Sequence, residues 1–186
     1  MRKYRFALIG CGRISYKHIE ALKNIEEAEI VSVCDIVSEK AKKYALELKI
    51  PFYTDYKEMF QKENIDAVNI LTPSGMHWDI AIEAMNHGKH VVVEKPMALK
   101  IRMVDMMIEA ADRNGVRLFV VKQNRFNSAV VKAREALETG RFGKLVLGTV
   151  RVRWSRDQSY YNQDSWRGTW ANDGGVLTNQ ASHHID

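Results

Sequence analysis

An apolar run, Phe6 to Ile9, ends in Gly10 and Gly12, and a second run, Ile30 to Cys34, ends in an acid, Asp35. A helix-like stretch opens between them at Arg13, Ile14 and Ser15. This spacing predicts a strand, a tight turn, a helix and a second strand, the layout of a dinucleotide site. Gly10 permits the strand-to-helix turn. Gly12 lacks a side chain that would hold the backbone away from a pyrophosphate. The following helix start, with Arg13 and Ile14, offers unpaired N–H groups and a positive dipole end. Asp35 would accept hydrogen bonds from an adenosine ribose. Ser15 stands where a third glycine is common, and it is small enough for close helix packing. No Arg or Lys occupies the two positions after Asp35. A carboxylate there repels a 2′-phosphate, so NAD is expected rather than NADP.

Strand and helix patterns alternate along the rest of the chain. Strands are predicted near 5–10, 29–34, 67–71, 90–94 and 117–122, with a short one at 52–53. Helices are predicted near 14–24, 39–48, 56–62, 78–87, 101–113 and 128–138. Asp55 to Glu58 resembles a capping box. Gly88, Gly115 and Gly140 follow helix patterns where a C-terminal cap belongs. Continuous apolar strands imply a sheet covered on both faces. The expected fold class is therefore α/β, a Rossmann-type doubly wound parallel sheet over residues 1–123. After Gly143 the rhythm changes. Residues 145–154 alternate as one longer strand, and the segment from Gly174 to Asp186 is helical in pattern. A lone strand makes a poor domain, so residues 124–186 are expected to be the start of a second α/β domain that is cut short.

Composition narrows the function class. The chain has 186 residues, 46% of them apolar, and a net charge of +5. The excess is spread out, with Glu39 and Glu47 beside Lys40, Lys42 and Lys43, so no nucleic-acid stripe is expected. No run approaches transmembrane length, and the two cysteines, Cys11 and Cys34, have no metal spacing. A cytoplasmic protein with reduced thiols is expected, with no metal and no membrane partner.

Glu94-Lys95-Pro96 follows the run His90 to Val93. Ligands of doubly wound sheets lie outside the carboxyl ends of strands. Lys95 there can hydrogen-bond a reacting hydroxyl and steady oxyanion charge, or be an ordinary solvated loop lysine. Pro96 would fix the turn, with a cis bond as one way to do so. Trp166-Arg167-Gly168-Thr169-Trp170 reads either as a packed domain entry or as a substrate rim in which Arg167 clamps an anion. Asn124 and Arg125 follow a strand, so they belong to the same edge. Gln158, Tyr160 and Tyr161 are further lining candidates. His183-His184 is either a metal pair, for which no acid or cysteine stands at a suitable spacing, or contains a general base.

The glycine turn, Thr72-Pro73 with His77, Glu94-Lys95-Pro96, and the Gly174-Gly175 segment ending in His183 together resemble the Gfo/Idh/MocA oxidoreductases over the whole chain. The likeness is strongest to the WlbA-type branch, the UDP-N-acetylglucosaminuronate 3-dehydrogenases. It is carried by Val121 to Phe126, Trp166 to Trp170 and Asp173 to His184. The resemblance implies a Rossmann domain, a second domain with a large open sheet, NAD, and a homo-oligomer, dimer or tetramer, once that domain is complete. It implies Lys95 and His183 as catalytic residues. Gly10, Gly12, Arg13, Ile14, Asp35, Thr72, Pro73, His77, Glu94 and Lys95 would hold cofactor. Lys95, Asn124, Arg125, Arg167, Asn179 and His183 would touch substrate. Asn179 replaces an aspartate common in relatives. Four residues from His183, it is expected on the same helix face. The implied reaction oxidises the 3-hydroxyl of a nucleotide-linked sugar to a ketone for surface polysaccharide synthesis. The rivals are another sugar or inositol dehydrogenase of the scaffold, and a non-catalytic NAD-binding sensor or regulatory subunit.

Overall fold

The structure is a computed structural model and describes residues 2–186. Two compact units make it up, one ending at Val120 and one running from Val121 to Asp186. The boundary expected after residue 123 falls at the start of a 3-10 turn, Gln123–Phe126.

The first unit is a six-stranded parallel sheet in the order β3-β2-β1-β4-β5-β6. The strands are β1 (Tyr4–Ile9), β2 (Ala28–Cys34), β3 (Phe52–Tyr53), β4 (Ala67–Ile70), β5 (His90–Val93) and β6 (Leu118–Val120). The helices between them are α1 (Ser15–Lys23), α2 (Ser38–Leu48), α3 (Tyr56–Lys62), α4 (His77–Asn86) and α5 (Ile101–Asn114). Each of these elements lies where the apolar periodicity places it. This is the Rossmann strand order, with the topological switch between β1 and β4.

Alternation along β1 sends its side chains into two separate cores. Ala7 and Ile9 join Ile70, Ile80, Met85, Val93 and Met107 on one face. Leu8 joins Ile19, Leu22, Val33 and Ala45 on the other. Register then aligns the strand exits: Ile9 stands beside both Cys34 and Ile70, and Ile70 beside Val93. The residues that follow, Gly10, Asp35, Leu71 and Glu94, therefore emerge along one edge of the sheet. Asp55 caps α3 by accepting from the Lys57 N–H at 2.8 Å. Gly115 caps α5 in the left-handed conformation, whereas α2 ends on Lys49 at φ 57° with no glycine to mark it.

The second unit holds α6 (Ser128–Glu138), a short α7 (Gln158–Tyr161), a π-type stretch Leu177–Ala181 and α8 (Ser182–Ile185). The strand expected over 145–154 is not formed, and those residues are irregular and mostly exposed. No strand of the described residues pairs with the segment, and an unpaired strand leaves its ladder groups without partners. Local alternation alone could not supply a neighbour. The helical pattern after Gly174 is also not one uniform α-helix, because the Leu177–Ala181 turn closes with the wider i→i+5 spacing.

Candidate active site

At the β1 exit, Gly10 has φ +98° and lies against the backbone of Leu71 and Thr72. A Cβ on Gly10 would stand 2.7 Å from the Leu71 carbonyl carbon. The second glycine differs: a Cβ on Gly12 would meet nothing within 4 Å. Gly10 is thus required by packing, whereas the space over Gly12 is open to a ligand. Ser15 is fully buried, and its hydroxyl donates to the Gly12 carbonyl at 2.6 Å, pinning the turn to the helix. No side chain caps the start of α1, and its first turn carries no acid. The Ser15 and Lys17 N–H groups already donate to the Gly12 and Ile14 carbonyls, so it is the positive dipole end that this start offers to an anion. Arg13 and Ile14 lie exposed at this start.

Asp35 closes the other side. Its Oδ2 accepts from the Cys11 N–H and its Oδ1 from the Val37 N–H, both at 2.8 Å. One lone pair on each oxygen is left for a ribose diol. Ile36 beside it is 80% exposed. The two-residue window after Asp35 holds no cation, but the Lys40 charge is near enough to act on the Cys11 thiol. That near cation was invisible in the linear spacing. Cys11 and Cys34 are free thiols, and burial first, with the Asp35 charge second, pushes both up to about 12.

Thr72 and Pro73 follow β4 and lead into the Ser74–Met76 turn. The Thr72 Oγ1 is buried without a hydrogen-bond partner in the protein. An open glycine cradle, an uncapped helix start, a ribose-facing acid and an unspent hydroxyl are what a dinucleotide requires, so these residues fit NAD. His77 is different from expectation. It is 1% exposed, with Nδ1 2.8 Å from the Pro96 carbonyl and Nε2 2.8 Å from the Thr72 carbonyl. Both ring nitrogens face backbone carbonyls, and a neutral imidazole donates to one of the two, so His77 is seated between the Thr72 and Pro96 loops. Two carbonyls favour the imidazolium, but burial outweighs them and lowers its affinity for a proton.

Glu94 and Lys95 leave β5, and the Lys95–Pro96 bond is cis. Glu94 Oε1 accepts from His18 Nε2 at 2.9 Å, and Oε2 accepts from the Lys95 N–H at 3.1 Å. Burial pushes this carboxyl up, but the His18 hydrogen bond and the neighbouring charges prevail and hold it low. Asn69 Nδ2 donates to His18 Nδ1 at 2.9 Å. His18 and Asn69 were not singled out in the sequence. Their signals were a histidine on the buried stripe of α1 and one amide inside the apolar strand Ala67–Ile70, since a buried polar group needs a partner.

The second unit has its own cavity, of about 470 Å³, lined by Gln158, Tyr161, Arg167, Asp173, Asn179 and Gln180 among others. Arg167 is side-chain buried at 9% exposure. Its guanidinium lies over the rings of Tyr160 and Trp166, 4.7 Å from each. It donates to Asp164 at 3.0 Å and to the Tyr160 hydroxyl at 2.8 Å. The arginine is packed and also lines the cavity, whereas Trp170 is exposed, so the segment is not a core entry with both tryptophans buried. Asp173, also missed, is a buried carboxylate that accepts from the Gly168 N–H at 2.6 Å and from the Asn179 amide.

Asn179 turns to Asp173, whereas His183 lies with the 3-10 turn: its Nε2 is 3.4 Å from the Gln123 amide nitrogen and its carbonyl accepts from Asn124 at 3.4 Å. His184 instead meets Trp154 edge-on. Arg125 makes a bidentate pair with Asp186 at 2.7 and 2.8 Å and does not line the cavity. Among the described residues no three His, Cys, Asp or Glu side chains gather as a metal site, and no helix is long and apolar enough to cross a membrane.

Comparison with known proteins agrees with this geometry. The chain is similar to the WlbA dehydrogenase of Bordetella pertussis, solved in complex with NADH and UDP-GlcNAcA: 44% identity and a TM-score of 0.96 over 99% of this chain and 57% of that one. It is similar to the WlbA dehydrogenase of Chromobacterium violaceum, solved with the same two ligands, at 41% identity and a TM-score of 0.96, over 100% of this chain and 54% of that one. It is 33% identical over 141 residues to the myo-inositol 2-dehydrogenase of Thermotoga maritima, covering 75% of this chain and 42% of the relative. The chain thus spans about half the length of these relatives. Residues 4–122 match the oxidoreductase family model described as an NAD-binding Rossmann fold, and residues 130–186 match the C-terminal domain of the same family. The chain belongs to the Gfo/Idh/MocA oxidoreductase family, and its first unit is the NAD-binding domain.

Proposed function

We propose that the protein is an NAD-dependent dehydrogenase that oxidises the 3-hydroxyl of UDP-N-acetylglucosaminuronate to a 3-keto sugar. The observation that carries this is the likeness, end to end, to two dehydrogenases solved with NADH and UDP-GlcNAcA. Asp35, with its two free lone pairs, favours NAD over NADP. When bound, NAD supplies the acceptor for the hydride that leaves the sugar carbon. His183 takes the hydroxyl proton on Nε2, and the substrate hydroxyl displaces the Gln123 amide that lies 3.4 Å from that nitrogen. Lys95 donates a hydrogen bond to the same oxygen and steadies the charge that builds on it. Arg167, Asn124, Asn179 and Arg125 serve substrate binding, and the buried Asp173 fixes the Asn179 amide. A 3-keto product suits a transamination that makes an amino sugar for a surface polysaccharide. The setting is the cytoplasm, and the working form is a homo-oligomer.

A second reading, oxidation of a free sugar or inositol, is supported by the Thermotoga relative. Steady-state kinetics on UDP-N-acetylglucosaminuronate, UDP-N-acetylglucosamine and myo-inositol separate the two. A uronate carboxylate read by an arginine makes a charge-assisted hydrogen bond that the neutral sugar lacks. The uronate should therefore be used far better than the neutral nucleotide sugar. Equal efficiency on those two removes the carboxylate claim, and preference for inositol removes the nucleotide-sugar assignment.

A further inference from the structure

We propose that His18 is a positioning residue for Lys95: held by Asn69, it fixes Glu94 as the anion against which the Lys95 ammonium is set. His18 serves the reaction only if Lys95 does, as proposed above.

Three elements converge on this chain of contacts. His18 comes from α1, Asn69 from β4, and Glu94 from the end of β5, where its own N–H donates to the Ile70 carbonyl at 3.0 Å. Asn69 donates to His18 Nδ1, so in the neutral imidazole the proton sits on Nε2 and points at Glu94 Oε1, 2.9 Å away. The other amide atom, Asn69 Oδ1, is buried without a hydrogen-bond partner. The amide is thus committed to one bond, the one that sets the histidine tautomer. The side chains of His18 and Glu94 are only 12% and 13% exposed, so solvent screens the pair little.

The charged and titratable groups that face Glu94 are His18 from α1, Lys95 beside it in the chain, and His77 from α4. Burial disfavours charge on His77, which leaves Lys95 as the cation beside Glu94. The direction of the coupling follows. Burial is the largest influence on Glu94 and pushes its carboxyl up; the His18 N–H is the largest influence against it. Without that N–H, Glu94 takes up a proton at higher pH. The Lys95 ammonium then loses a neighbouring anion and gives up its proton at lower pH. A lysine that must hydrogen-bond a reacting oxygen would change its working pH range with it.

The test reads Lys95 directly. Trace acetylation with acetic anhydride is measured across pH on the full chain, and the Lys95 peptide is quantified against the exposed Lys62 as internal reference. His18→Ala and Glu94→Gln should each lower the pH midpoint of Lys95 acetylation, giving about three- to tenfold more reaction at a fixed pH below the midpoint. His18→Gln, whose amide can still donate to Glu94, should return most of the wild-type midpoint. A purely structural His18 would change acetylation alike at every pH and leave the midpoint in place. An unmoved midpoint in Glu94→Gln overturns the proposal. A midpoint moved in Glu94→Gln but not in His18→Ala overturns the part assigned to His18. If His18→Ala does not fold, His18→Leu, which fills the space but donates nothing, takes its place: a midpoint moved as in Glu94→Gln supports the proposal and an unmoved one overturns the part assigned to His18. Kinetics of Lys95→Ala judge the role of the lysine separately.

Discussion

Gly10 and Leu71 are packed backbone to backbone, with no room for a single carbon between them. The contact joins the exits of β1 and β4 at the switch point of the sheet, where the cofactor cradle begins. Gly10→Ala adds both a clash and a strained left-handed backbone, and should cost about 2–5 kcal/mol of stability. Gly12→Ala should leave stability nearly unchanged and weaken NAD binding, because its methyl enters open space. Urea unfolding and calorimetric titration on both variants separate the two glycines. Equal stability loss in both would contradict the assigned roles.

Calorimetry with NAD and NADP tests the acid at the end of β2. The wild type should bind NAD more tightly. Asp35→Ala should narrow the difference, because the repulsion goes and the Lys40 charge remains nearby. Tighter NADP binding by the wild type would overturn the assignment. Asp35→Ala should also cost some stability, since two backbone N–H groups lose their acceptor.

Lys95→Ala and His183→Asn should lower turnover by about a hundredfold to ten-thousandfold in steady-state kinetics. Melting temperature and NAD affinity should stay close to wild type. Activity lost in His184→Asn but kept in His183→Asn would reverse the assignment between the neighbours, one of which faces Gln123 and the other Trp154.

Acid should weaken the fold in two stages. His77 has a folded affinity for protons below its ordinary one, so the unfolded chain binds the extra proton first. Stability is full above about pH 6.5 and falls as the pH drops through that value. Glu94, also held low, adds a second loss in more acid solution. Urea melts from pH 8 to pH 4 should show both, and His77→Gln should flatten the first. A wild type with no slope between pH 7 and 5 would contradict the burial argument.

Both thiols are pushed up to about 12, so Cys11 and Cys34 should react with iodoacetamide at least about a hundredfold more slowly than a free thiol at neutral pH. Denaturant should abolish the protection. Fast labelling in the folded protein would show that the β1 and β2 exits open.

The first unit was legible because its signals are local and redundant. The glycine turn, Asp35 and the alternating apolar segments each fix a strand exit, and the exits define the site. What was not legible depends on partners far along the chain. Nothing around His77 says that both its nitrogens would meet carbonyls, one nineteen residues ahead at Pro96. Nothing around Lys40 marks its approach to Cys11. Asn69 did carry a sign, an amide in a buried strand, but only the fold names His18 as its partner. In the second unit the alternation of 145–154 suggested a strand, and strand formation is decided by neighbours rather than by pattern. The widened turn at Leu177–Ala181 likewise has no local sign in the residues that form it.

That wide turn, Leu177–Ala181, holds one residue more than an α-helical turn of the same length would need. Deleting one residue within it would tighten it to an α-helical turn of the same length, so the side chains after it would keep their bearings. A residue deleted after the turn has no such slack behind it, and would swing the following side chains by about 100°. The wide turn is therefore the one stretch of this helix where chain length can change by a residue while His183 goes on facing Gln123 and His184 goes on facing Trp154.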